Sequence, residues 1–161
     1  MDRDTTREER TAARDHADEA AMLRAHARKM RTFLEKWIPD SNLSNEAEFV
    51  NNVVPGDAEE NFTLSTPFGL IHARFGFCFH GNQLAARYEF CSVATGDDGA
   101  VRLTPFHGMI LDYHGRATYS DGGDYEWDFD TASIRSQLVA PIVVRTLLFS
   151  LVQTLPKIPL K

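Results

Sequence analysis

Residues 70–80, LIHARFGFCFH, alternate between apolar and polar positions, with Ile71, Ala73, Phe75, Phe77 and Phe79 on one side and His72, Arg74, Gly76, Cys78 and His80 on the other. A period of two predicts a β-strand with one buried face. Gly81-Asn82 suits a two-residue hairpin turn, which pairs His80 with Gln83 and sets every pair beyond it. Phe79 then falls opposite Leu84, Phe77 opposite Ala86, Phe75 opposite Tyr88 and Ala73 opposite Phe90. On the polar side Arg74 lands opposite Glu89 and His72 opposite Cys91. The same register therefore matches apolar with apolar on one face and base with acid on the other.

The pattern extends in both directions. Thr66-Pro67-Phe68-Gly69 has Pro at the second and Gly at the fourth place of a type I turn, folding 62–66 back with Leu64 opposite Ile71 and Phe62 opposite Ala73. ATGDDGA (94–100) reads as a loop, and VRLTPFHGMILDYHG (101–115) as a strand interrupted near Pro105 and Gly108. A three-residue loop His114-Gly115-Arg116 keeps Leu111 opposite Tyr119 and Tyr113 opposite Ala117. A second loop, Asp121-Gly122-Gly123, sets Tyr119 opposite Tyr125 and Ala117 opposite Trp127, with Thr118 facing Glu126, Arg116 facing Asp128 and His114 near Asp130. In DYEWDFD (124–130) the aromatic residues Tyr125, Trp127 and Phe129 then face the core while Asp124, Glu126, Asp128 and Asp130 face outward.

Helical signals flank these strands. From Thr5 to Ile38 there is no Gly or Pro, and Ala, Arg and Glu dominate. Leu23, Ala27, Met30, Phe33, Leu34, Trp37 and Ile38 recur at steps of three and four, the spacing of one apolar stripe. The first twenty residues lack that stripe and are expected to form a solvated or frayed charged extension, leaving 21–161 as a single domain. Residues 39–61 are turn-rich, with a short helical turn after Ser44. Asp130 or Thr131 is a candidate N-cap for a long apolar helix from Ala132 to about Leu155, in which Pro141 kinks or restarts the helix. The predicted fold class is α+β: an N-terminal helix, an antiparallel β-meander of about five to seven strands, and a long apolar C-terminal helix packed on one face of the sheet.

Composition narrows the function. Apolar residues make up 43% of the 161, ample for one core. Residues 1–40 hold nine Lys or Arg and nine Asp or Glu, so the net charge of −6 comes entirely from residues 41–161. An acidic body argues against direct binding to nucleic acid, whose affinity comes from neutralised phosphates. The charged N-terminus lacks the apolar stretch of a secretory signal, and the longest apolar segment, 138–152, carries Arg145 and is too short to span a bilayer. Both features point to the cytoplasm and away from a membrane.

Several clusters carry candidate chemistry. Phe79-His80-Gly81, Phe106-His107-Gly108 and Tyr113-His114-Gly115 repeat one triplet; imidazoles gathered at one sheet edge could ligate a metal, while the plainer reading is Gly at a turn and His at a strand end. His72 opposite Cys91 could make a thiolate pair, but no third residue orients it. The predicted register holds Cys78 and Cys91 roughly 20 Å apart, which excludes a disulfide. Alternate carboxylates on a strand are about 6.8 Å apart, too far to share one calcium ion. No catalytic residue, metal site or cofactor is therefore assigned.

What remains is an acidic sheet face, Asp112, Asp124, Glu126, Asp128 and Asp130, which is either the solvated face of the strand, partly neutralised by Arg116 and His114, or, on the sharper reading, expected to bind a protein partner with a basic surface. The expected function is a non-enzymatic protein-binding protein of inhibitor, adaptor or chaperone type, whose acids can imitate a nucleic-acid backbone as mobile-element-encoded inhibitors do. The apolar C-terminal helix is the expected seat of a homodimer. The element order also looks like the helix-grip arrangement, which implies a carrier or small enzyme with a hydrophobic pocket between sheet and C-terminal helix, and is similar to small acidic secretion chaperones.

Overall fold

The computed structural model describes residues 6–37, 52–55, 58–128 and 134–160, with side chains described over 6–37, 58–128 and 138–160. Helix α1 spans Arg7–Trp37. It is opened by a capping box in which the Thr6 hydroxyl accepts from Glu9 N–H (3.2 Å) and the Glu9 carboxylate accepts from Thr6 N–H (2.9 Å). Seven strands follow among the described residues: β1 (Asn52–Pro55), β2 (Phe62–Thr66), β3 (Gly69–His80), β4 (Gln83–Thr95), β5 (Val101–Leu111), β6 (Arg116–Ala117) and β7 (Trp127–Asp128). They form one antiparallel sheet in sequence order, and α2 (Ile134–Val152) closes the chain. The α+β meander expected from the pattern is present.

The long hairpins have the predicted register pair for pair. His80 faces Gln83, Phe79 Leu84, Phe75 Tyr88, Arg74 Glu89, Ala73 Phe90 and His72 Cys91; Leu64 faces Ile71 and Phe62 faces Ala73. Gly81, at φ 64°, occupies the place where a type II′ turn needs a positive φ. The expected interruption of the next strand is a bulge in a continuous β5: Phe90 pairs with His107 and Cys91 with Pro105, leaving Phe106 as the extra residue.

One core joins both helices to the same face of the sheet. Leu23, Ala27, Met30 and Leu34 of α1 are wholly buried against Phe62, Leu64, Tyr88, Phe90, Met109 and Leu111. Val143, Val144 and Leu147 of α2 and Trp127 of β7 complete it. Full burial of such a side chain stabilises by about 1.5–3 kcal/mol. The Tyr88 hydroxyl, inside this core, donates its proton between two main-chain carbonyls, Glu60 at 2.5 Å and Ala27 at 3.2 Å, which fastens β4 to α1.

The C-terminal helix departs from expectation. It is 19 residues against 31 for α1, ends at Val152 rather than Leu155, and contains Pro141 within a single helix. Helical geometry tightens there, with Thr154 N–H bonding to Leu151 and Leu155 N–H to Val152, and Pro156 disfavours a helical conformation for the residue before it. Its outward positions Leu138, Ile142, Phe149 and Val152 are exposed. No described helix is long and apolar enough to cross a membrane. The stretch 39–61, expected to be turn-rich, contains strand β1, because Val53 and Val54 pair with Leu64 and Thr63 of β2; the rest of it up to 51, with Ile38, Phe129 and the candidate caps Asp130 and Thr131, lies outside the described residues.

Candidate binding surface

In a consecutive antiparallel meander, alternate turns share an end. The β3–β4 turn at Gly81-Asn82 and the β5–β6 turn at 112–115 therefore lie together. The second turn differs from the predicted loop. Leu111 pairs with Ala117, not with Tyr119, so Tyr113 sits in the turn and not on the strand. The cause is Asp112, whose carboxylate accepts from the N–H groups of His114 (3.0 Å) and Arg116 (2.9 Å) and from Arg116 Nε (2.8 Å). Asp at the first place and Gly115 at the fourth, with φ 80°, is the composition of a type I turn continued by a left-handed residue.

Beyond that turn the chain regains the predicted pairing, Arg116 with Asp128 and Ala117 with Trp127. Of the three aromatic residues of DYEWDFD, Trp127 enters the core, stacked on Tyr119 at 6.0 Å. Tyr125 does not, since among the described residues of this stretch only Trp127 and Asp128 form strand. Its ring lies under the Arg116 guanidinium, and its hydroxyl shares a 2.8 Å hydrogen bond with His80 Nδ1. Burial, reinforced by the Asp112 carboxylate, raises the Tyr125 phenol above its ordinary range, so it stays protonated.

At this end of the sheet α1 overhangs, and between helix and turns lies a cleft of about 540 Å³. Asp15, His16, Asp18 and Glu19 form the helical wall; Asn82, Gln83, Leu84, Tyr113 and His114 form the other. No Lys or Arg is among these lining residues. His16 Nδ1 lies 3.8 Å from the Glu19 carboxylate and meets the Phe79 ring edge-on at 6.4 Å. Helix and turns are held together by His26 Nε2, 3.0 Å from the Tyr113 carbonyl.

The structure sorts the five predicted acids. Asp112 is only 6% exposed and is committed to its turn, so it is not part of an open face. Asp124 and Glu126 are exposed and Asp128 is half-buried; Asp130 lies outside the described residues. The hydrogen bond between Tyr125 and His80, whose strand partner Gln83 lines the cleft, brings Tyr125 to this end of the sheet, on the face away from the helices. Asp15, Asp18 and Glu19 were not singled out from the sequence. The available signal was that His16 and Glu19 continue, at steps of three and four, the stripe that carries Leu23, Ala27, Met30 and Leu34.

The other clusters are structural ties. On the sheet face away from the helices, Arg74 pairs with Glu89, Arg87 with Glu89 (2.9 Å), and Arg87 with Asp121 (2.8 Å). Gly108 lies beneath the last pair, where a Cβ would meet the Asp121 carboxylate and the Arg87 guanidinium. Arg87, then Arg74, lowers the Glu89 carboxyl from its ordinary range, and Arg87 does the same to Asp121. Burial raises both thiols, Cys78 and Cys91, and both are free; the neutral form is the poorer nucleophile. His107 joins β5 to α2, with Nε2 donating to the Tyr119 carbonyl (2.6 Å) and Nδ1 facing Ser150 Oγ (3.1 Å). Among the described residues no three His, Cys, Asp or Glu gather closely enough to hold a metal ion. Comparison with family models, curated proteins and solved structures finds no match to this chain.

Proposed function

We propose that the protein is a non-enzymatic binding protein, of inhibitor, adaptor or chaperone type, which engages a basic surface of a protein partner through its acidic end. The observation that carries this reading is the cleft walled by Asp15, Asp18 and Glu19 with no Lys or Arg in its lining. Asp124 and Glu126, exposed on the neighbouring segment, add the same sign of charge to the surface. Complementary charge of this kind sets association rate and partner choice, and a net charge of −6 adds to the steering. The carrier reading is less well supported, because the space between sheet and helices is occupied by one packed core.

The test is affinity capture from the native host with wild type beside the variant Asp15→Lys/Asp18→Lys/Glu126→Lys. A partner that is retained at low salt, released at high salt and lost with the variant supports the reading. Partners captured equally by both proteins and unaffected by salt overturn it.

A further inference from the structure

Resting on the reading of the cleft as a protein-binding site, we propose that its occupant is a cationic amphipathic segment of the partner. Its apolar side chains seat on Phe79, Leu84 and Tyr113 while its Lys or Arg residues meet Asp15, Asp18 and Glu19.

The apolar component follows from β3. Its core-facing positions run Ile71, Ala73, Phe75, Phe77 and Phe79; the first two are wholly buried, whereas Phe77 is 41% and Phe79 66% exposed. The core face of the sheet thus continues past its cover. Phe79 pairs across the sheet with Leu84, which lines the cleft, and touches His16, which lines it too. Tyr113, 45% exposed, borders the cleft from the neighbouring turn. Aromatic side chains left in water beside a concavity are characteristic anchors for a partner's apolar residues.

The cationic component follows from α1. Where the helix could have closed on this floor it presents His16 and Glu19 in place of another Leu or Met, with Asp15 and Asp18 beside them. A carboxylate pressed unpaired against Phe79 and Leu84 would be costly to desolvate, so the wedge stays open until a ligand supplies countercharges. An oligocation satisfies the acids and ignores the rings; an apolar segment does the reverse. A helix with apolar anchors at three- and four-residue spacing and flanking Lys or Arg satisfies both.

The experiment is fluorescence anisotropy on the full chain with three labelled peptides. The first is an amphipathic Lys/Leu helix of about five turns, the second a scrambled order of the same composition, and the third oligolysine of equal length. The amphipathic peptide is expected to bind about tenfold or more tighter than either control. Phe79→Ser and Asp15→Lys/Asp18→Lys are each expected to weaken it about tenfold, with circular dichroism unchanged because all three positions are exposed. Equal binding of oligolysine or the scrambled peptide overturns the amphipathic occupant and leaves the acidic-end reading standing. So does failure of all three peptides beside a captured, salt-sensitive partner. Self-association abolished by Phe79→Ser would overturn it in favour of a second copy of this chain.

Discussion

The sheet-facing positions of α1 run His16, Glu19, Leu23, Ala27, Met30 and Leu34, and the two ends of this single stripe behave differently. Leu23, Ala27, Met30 and Leu34 are wholly buried, while the side chains of His16 and Glu19 remain 56% and 38% exposed. The backbone geometry is the same in both halves, so side-chain chemistry alone decides whether the helix closes on the sheet or stands off it. One half holds the fold and the other holds open a cleft. On the proposed function, stability and recognition fall to separate turns of one helix, and substitutions should separate them.

The largest separation is expected between Leu34→Ala and Asp15→Asn. The first leaves a cavity under a fully buried side chain and should cost about 2–5 kcal/mol. The second changes a solvated wall and should stay within about 0.5 kcal/mol. Urea unfolding of both variants checks this; equal losses would mean that the overhanging half is part of the cooperative core.

A smaller effect is expected at the turn on which the cleft depends. Asp112→Ala removes the acceptor for two backbone N–H groups and for Arg116, a loss of about 1–3 kcal/mol. It should also weaken binding of a cationic peptide by shifting Tyr113 and His114. Loss of stability without any change in binding would detach the turn from the site.

The smallest effect concerns the opposite face of the sheet. Glu89 and Asp121 have folded-state carboxyl pKa values lowered mainly by Arg87. Each therefore contributes stability that is present above the ordinary carboxylate range and lost as pH falls through its folded value. Unfolding midpoints measured down an acid series should decline for wild type and decline less steeply for Glu89→Gln. A Glu89→Gln profile parallel to wild type would show that the pairing is energetically idle.

How much of this was legible in the sequence depended on how many independent constraints each segment carried. From β2 to β4 the strands have a buried face, tight turns and an acid–base pair, and a slip of one residue violates all of them at once. Between β5 and β7 the apolar pattern favours loops that match Leu111 to Tyr119. That criterion ignored the capacity of Asp112 to accept hydrogen bonds from its own turn, and the turn won. The same oversight put Asp112 on an open acidic face and Tyr125 in the core. The acids of α1 are hidden for another reason: apolar periodicity marks only Leu23 to Leu34, and its polar continuation through Glu19 and His16 reads as ordinary solvated helix.

The strand order has a kinetic consequence. Every strand pairs only with its immediate predecessor and successor in the chain, so assembly of the sheet never has to await the arrival of a remote segment. Zipping can begin at Gly81-Asn82 and spread outward, each hairpin closing a short loop at modest entropic cost. The remote partners are α1 and the sheet, bridged by Tyr88 to Ala27 across 61 positions of sequence. Docking of the two helices is thus the remote step in an otherwise local process, and until α1 has docked the part of the aromatic face that it covers stands open.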